Sequence, residues 1–350
     1  MVIDVHDGPR LDALRSRLRL DPHRLKRLRV QLLKNHRGIE RALDELPSEL
    51  RAEFAAQVRF HHLELVQHRD SEIDGATKLV FRTDDDLRIE TVILRARTGR
   101  TALCVSSQVG CGVGCDFCAT GRLGARRNLT RGEVLDQVVQ ANTRLASEGR
   151  AVRNLVFMGM GEPLHNEAVL HEALESLTQT HCFDLAPAHI CVSTVGIPAA
   201  MVRLAQRFPR VRLALSLHSA RQDVRSRLIP LARHHDLDEL RSAVAEVTRV
   251  QGQPIMLEHL LLDGLNDGAE DLEALVAWIG DLPVHINLIP YNPIPDAPLL
   301  KSTPKPRREA FANELKSRGF RVTLRYSLGA DVTAACGQLV RDENRREARR

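Results

Sequence analysis

The chain has 350 residues, 43% of them hydrophobic and 27% charged, with 50 basic side chains against 45 acidic ones. That length and balance suit one large α/β domain or a large domain with a small appendage, and no run reaches the ~18 apolar residues of a membrane helix. The same composition excludes collagen, coiled coil and disordered tail. The start, MVIDVHDGPR, lacks the basic end and apolar run of a secretory signal, so a cytoplasmic protein is expected.

Residues 1–75 read as helical and basic. LDALRSRLRLDPHRLKRLRVQLL repeats Leu at intervals of three and four, and LPSELRAEFAAQVRF does the same with Ala, Phe and Val. Between residues 10 and 37 lie Arg10, Arg15, Arg17, Arg19, Arg24, Lys26, Arg27, Arg29, Lys34 and Arg37, and the chain ends in RDENRREARR. Basic segments of this kind are either solvated helix faces or a nucleic-acid footprint. Aromatics, at 3%, are too few for a base-stacking platform. Next, TKLVFRTDDDLRIETVILRAR predicts a β-hairpin turning at Asp84–Asp86, within a linker spanning 76–100.

From about residue 101 to 330 the pattern becomes strand–helix alternation. The predicted strands are 101–107, 154–160, 189–195, 212–217, 254–262, 285–290 and 321–327, with helical patterns such as TRGEVLDQVVQANTRLA and DGAEDLEALVAWIG between them. Near-continuous apolar strands joined by helices predict a parallel sheet, as a barrel or an open sheet. Small or polar residues recur where these strands end: GMGEP at 159–163, Ser193-Thr194, Ser216-Leu217-His218, Asn287 and Tyr291-Asn292-Pro293. Ligand-contacting groups gather at such carboxyl ends.

Seven cysteines without an export signal argue for reduced thiols. CGVGCDFC sets Cys111, Cys115 and Cys118 in a C-x₃-C-x₂-C spacing after the first predicted parallel strand. The triplet alone is open to two readings. A structural zinc would want a fourth ligand, whereas a 4Fe–4S cluster held by three cysteines leaves one iron for another molecule. Cys182 and Cys191 read as structural.

The triplet and the Gly-rich acidic loop after the next strand resemble the radical S-adenosylmethionine (SAM) superfamily, which implies a partial (β/α)6 barrel and one 4Fe–4S cluster. The resemblance gives GMGEP the methionine amine, through Gly161 and Glu162. It gives Ser193, Ser216, Leu217, His218 and Asn292 the ribose and adenine of SAM. The ordered segments TALCVSSQVGC, CDFCATG, RNLT, FMGMGEPLHN, STVGI, SLHS, HINLIPYNP and AACGQL, spanning about 72–340, resemble the RlmN/Cfr family, which methylates carbon 2 or carbon 8 of a 23S ribosomal RNA adenosine.

Carbons 2 and 8 of adenine are too electron-poor to attack a sulfonium methyl directly. The resemblance implies a detour in which Cys336 takes a methyl from one SAM and a second SAM yields a 5′-deoxyadenosyl radical. That radical removes hydrogen from the thioether methyl, and the resulting carbon radical adds to the purine. Cys104 then attacks the Cys336 sulfur, forming a transient disulfide. Glu90 in RIETVIL matches the family's proton acceptor, although the interval from Glu90 to Cys104 is one residue longer than usual. Thr333 stands where many members have aspartate. The implied partners are RNA, with transfer RNA beside 23S ribosomal RNA, and an electron donor such as flavodoxin. A monomer is expected, with 331–350 as a loop carrying Cys336 and a basic tail. Two rival classes are a radical-SAM enzyme of another type and a non-catalytic iron–sulfur or zinc RNA-binding protein.

Overall fold

Proline and aspartate punctuate the N-terminal helices. Asp7 and Asp21 accept from the backbone N–H groups of Arg10 (3.1 Å) and His23 (2.7 Å), and prolines occupy the first turns of α1 (Gly8–Arg17) and α2 (Pro22–Arg29). A π-helical turn, Val30–Lys34, leads into α3 (Gly38–Leu43) and α4 (Ser48–Gln57). The computed structural model describes residues 2–96 and 98–339; the basic tail RDENRREARR lies outside the described residues. Among those described, no helix is long and apolar enough to cross a membrane.

Ten strands form one sheet in strict chain order, β1 (Glu64–Asp70), β2 (Ala76–Arg82), β3 (Arg88–Arg95), β4 (Thr101–Cys104), β5 (Asn154–Phe157), β6 (Ile190–Thr194), β7 (Arg212–Ser216), β8 (Ile255–Leu261), β9 (Val284–Pro290) and β10 (Arg321–Leu324). The first four pair antiparallel and β4 through β10 pair parallel, so the expected hairpin is an extension of the barrel sheet. β1 corrects the reading of 1–75 as helical. Nearly every residue of ELVQHRD is exposed, so the strand shows no buried alternation, and its charges suit a sheet edge.

The parallel strands are joined by crossovers. The cysteine loop and α5 (Ala119–Leu123) precede α6 (Arg131–Ala146); then come α7 (Glu167–Thr178), α8 (Pro198–Arg207), α9 (Gln222–Leu228) with α10 (Leu237–Gln251), α11 (Ala269–Ile279) and α12 (Lys305–Ser317). The first strand never pairs with the last, so the sheet makes an open, partial α/β barrel. Helix α6 starts at a capping box in which Thr130 and Glu133 satisfy each other's backbone N–H groups, worth about 1 kcal/mol.

One buried carboxylate fastens the N-terminal helices to the barrel. Asp136 of α6 is fully buried and accepts from the backbone N–H groups of His62 (2.7 Å) and Leu63 (2.8 Å), with His61 Nδ1 at 2.7 Å. Asp136→Ala leaves those donors unsatisfied. A loss of about 2–4 kcal/mol is expected in urea unfolding, with the slope unchanged.

Candidate active site

The cysteine loop is clamped at its base by a short antiparallel pair, Gln108–Gly110 with Ala125–Asn128. Gly121 of α5 packs against the loop so closely that a Cβ there would lie 2.8 Å from Cys115 N. Cys111, Cys115 and Cys118 thereby line one cavity at the carboxyl ends of the parallel strands, together with Gly161, Glu162, Ser193, Ser216 and His218. Gly161 has φ +101°, and a Cβ on it would meet Gln108 Cβ at 2.6 Å, so the loop after β5 needs glycine there.

Burial decides the charge states in this cavity. It pushes the Cys111 thiol up to about 12 and raises those of Cys115 and Cys118. Burial also lifts Glu162 to about 7, against the backbone donors Val195 (2.9 Å) and Leu164 (3.0 Å) that hold its two oxygens. His218, at φ +58°, accepts from Leu260 N–H through Nδ1 (3.1 Å), stands edge-on to Phe117 at 4.8 Å, and is held neutral by burial. Its proton then sits on Nε2. Ser193 Oγ and Ser216 Oγ lie 3.4 Å apart.

Sequence reading missed Arg225 of α9, a buried cation that sits behind the cavity lining on the carbonyls of lining and neighbouring residues. Its guanidinium donates to the carbonyls of Val195, Ser216 and Leu217, tying the ends of β6 and β7 together. Its Nε is buried without a hydrogen-bond partner, and burial pulls the group down to about 10, opposed by the Cys115 sulfur. An arginine in the charge-rich run RQDVRSR gives no sequence signal.

These features fit a thiolate-bound iron–sulfur cluster. Three thiols without bonded partners face one cavity, and a buried cation beside Cys115 would balance thiolate charge. Among the described residues, no three His, Cys, Asp or Glu side chains converge as the ligands of one metal ion would. In a cubane each thiolate takes its own iron.

Cys336 lines this cavity and also a second one of about 540 Å³ that occupies the barrel lumen. The residue is exposed on its loop, but the sulfur faces the cavity, and desolvation there and then the Glu258 carboxylate raise its thiol above the ordinary value. Cys104 lines the lumen cavity, and its thiol is raised by burial and by the nearby Cys336 sulfur. Asn292 lines the lumen rather than the cysteine cavity; its amide donates to the Cys336 carbonyl (3.1 Å) and accepts from Ser327 Oγ (2.6 Å). Leu217 packs its side chain in the core and meets the site only through its backbone. Cys191, read as structural, is buried and also forms part of the lumen wall.

Glu90 shares a face of β3 with Val92, which lines the lumen, but is itself sealed behind the wall. Its Oε1 lies 3.3 Å from Lys78 Nζ, and Lys78 also donates to Thr333 Oγ1 (2.7 Å) on the Cys336 loop. The carboxyl group that lines both cavities is Glu258 of β8, hydrogen-bonded to Asn287 Nδ2 (2.9 Å) and kept protonated to higher pH by burial. A glutamate inside the apolar run PIMLEHLLL was the available signal.

Residues 105–279 match the Radical SAM superfamily. A probable RNA methyltransferase of Rhodopirellula baltica is 51% identical over 97% of this chain and 88% of its own length. The dual-specificity RNA methyltransferase RlmN of Psychrobacter arcticus is 39% identical over 81% of this chain and 75% of its own. A crystal structure of a radical SAM methyltransferase from Sphaerobacter thermophilus superposes with a TM-score of 0.91 at 36% identity, covering 96% of this chain and 99% of that one.

After anaerobic reconstitution with iron and sulfide, Ala at Cys111, Cys115 or Cys118 should each abolish bound iron, while Cys182→Ala retains it. Arg225→Leu should lower retained iron severalfold, with Arg225→Lys intermediate. Iron and sulfide analysis checks both.

Proposed function

Because the chain belongs to the RlmN-type RNA methyltransferases of the radical SAM superfamily, we propose that it methylates an sp² ring carbon of an RNA adenosine through a methyl group carried on Cys336. The observation that carries this reading is the placement of Cys336 as the shared wall of two cavities. One holds the three cluster cysteines; the other holds Cys104 and has room for an extruded base. The substrate is RNA, with an adenosine of 23S ribosomal RNA at carbon 2 or carbon 8 as the target. Transfer RNA as a second substrate accords with the relatives' dual-specificity name.

Cys111, Cys115 and Cys118 would hold the 4Fe–4S cluster, with Gly161, Glu162, Ser193, Ser216 and His218 around the SAM that completes it. When bound, that pair supplies a 5′-deoxyadenosyl radical, the electron coming from a donor such as flavodoxin, and a second SAM per turnover supplies the methyl. The chain's own residues do the rest. The Cys336 thiolate displaces the methyl from a sulfonium and keeps it as a thioether. Loss of one hydrogen atom makes that carbon a radical, and it bonds to the purine carbon. The adduct gives up one electron, back to the electron donor, as the ring carbon loses its proton. The Cys104 thiolate then attacks the Cys336 sulfur, and the Cys104–Cys336 disulfide forms as the bond to the transferred carbon breaks. That carbon takes up a proton to leave as methyl. The ring carbon's proton is assigned to Glu90, which lies behind the lumen wall and receives it by relay rather than by contact with the base; its partner Lys78 also grips the Cys336 loop at Thr333.

Nucleophilic displacement needs thiolate, so the raised Cys336 pKa has a direct kinetic consequence. The rate of Cys336 methylation should climb about tenfold per pH unit until the pH passes that pKa, above the ordinary thiol value of about 8.5. Glu258→Gln removes a carboxylate that raises that pKa once ionised, so it should speed the step at pH values where Glu258 carries its charge. Single-turnover mass spectrometry of the Cys336 peptide measures it.

The function itself is tested with methyl-labelled SAM and ribosomal RNA, followed by nucleoside mass spectrometry. Methylated adenosine is expected from the wild type and background from Cys336→Ala. With Cys104→Ala, RNA should remain covalently attached to the protein. Full methylation by Cys336→Ala would overturn the proposal.

A further inference from the structure

The lumen cavity is partly open to solvent, and its lining runs from the amino-terminal ends of β4, β5 and β7 to the segment after β10. Arg100 and Arg153 immediately precede β4 and β5, Arg212 begins β7, and Arg325 follows β10; all four line the cavity and are exposed. None of these four side chains takes part in a hydrogen bond or ion pair among the described residues. In the basic N-terminal helices Arg19, Lys26 and Arg37 are likewise exposed without such a contact, but they do not line this cavity, and most of the other basic groups there are engaged. There Arg10, Arg15, Arg27 and Lys34 pair with Asp7, Asp12, Glu45 and Asp184, and Arg24 and Arg29 donate to Glu45 O and Cys182 Sγ. At the same mouth stands Tyr326, 79% exposed, one of only two tyrosines in the chain.

Unpartnered guanidinium groups around one opening raise the local potential and bind phosphate oxygens in pairs. An exposed ring beside them offers a face on which a base can stack. The passage they surround leads to Cys104 and Cys336. We infer that this arginine-ringed mouth is the port through which single-stranded RNA delivers its adenosine, with Arg100, Arg153, Arg212 and Arg325 holding flanking phosphates and Tyr326 stacking on a neighbouring base. The inference rests on the RNA-methyltransferase reading and adds where the RNA docks: at the opening of the lumen between the amino-terminal ends of β4, β5 and β7 and the segment after β10, not chiefly on the N-terminal helices.

The test uses a labelled RNA hairpin with an adenosine in its single-stranded loop, titrated with reconstituted full-length protein over a series of salt concentrations. Each phosphate contact to a single strand contributes about 0.7 to the slope of log K against log salt. The triple variant Arg100→Ala/Arg153→Ala/Arg212→Ala should lower that slope by about 2 and weaken binding at low salt by tenfold or more. Tyr326→Ala should weaken binding roughly tenfold with the slope unchanged, since stacking contributes about 1–3 kcal/mol without charge. All four side chains are exposed, so urea unfolding should be unaffected and separates binding from folding. An unchanged slope in the triple variant, beside a wild type that binds the hairpin, overturns the port and leaves the methyltransferase reading intact. Adenosine monophosphate binding as tightly as the hairpin also overturns it, in favour of a mononucleotide site. A wild type with neither salt-dependent RNA binding nor methyl on Cys336 overturns the enzymatic reading as well.

Discussion

An open sheet has two edges, and the way this one is bridged determines where its chemistry can occur. β10 and β1 do not pair; the segment after β10 crosses the gap instead. Gly329 N–H donates to Asp74 Oδ2 (2.7 Å), while Ser71 Oγ and Glu72 N–H donate to Asp331 (2.8 and 2.9 Å). The segment then turns inward. Lys78 holds Thr333, Asn292 holds the Cys336 carbonyl, and Ala119 N–H donates to Gly337 O (2.8 Å). Cys336 is therefore fixed between the cluster loop and the lumen by bonds from four regions of the chain. A reactive thiol on an untethered loop would sample many positions; this one divides the barrel.

The two compartments it separates differ electrically. Around the cluster cysteines, burial favours neutral thiols and a neutral imidazole, and one arginine supplies positive charge close to the sulfurs. Ligation to iron removes thiol protons, and the thiolate charge then faces Arg225 in a low dielectric where that attraction is strong. At the other end the arginines are exposed to water. Their fields are screened within about 8 Å at physiological salt, which suits capture of a polyanion better than any buried chemistry. Glu258 lies between, in contact with both spaces and held by Asn287.

Much of this was legible in the sequence because burial leaves a pattern. All seven parallel strands were foreseen, since strands covered on both faces must be apolar almost throughout. The acidic turn at Asp84–Asp86 marked the hairpin. β1 was not legible, because a strand exposed on nearly all its residues carries no periodicity. In the site, the motif residues Gly161, Glu162, Ser193, Ser216 and His218 do surround the three cysteines. Asn292 and Leu217 were named for contacts that their side chains do not make there: one amide is engaged by the Cys336 loop, and one side chain is core. Arg225 and Glu258 act through long-range packing between α9, β6, β7 and β8, which single-strand patterns cannot encode.

The Lys78 pairing shows how one departure from the family pattern is absorbed. A buried ammonium and a buried carboxylate compensate each other only if no further net charge joins them without a partner. Lys78 Nζ lies 3.3 Å from Glu90 Oε1, and Thr333 adds an acceptor at 2.7 Å without adding charge. An aspartate in its place would bring a second carboxylate to the same ammonium and bind the loop by charge. With threonine the tether is an ammonium–hydroxyl hydrogen bond, worth about 1.5–3 kcal/mol as a bond to a charged group, and it brings no second negative charge. The Cys336 loop of this chain is thus tied to Lys78 without a second carboxylate competing with Glu90 for the same ammonium.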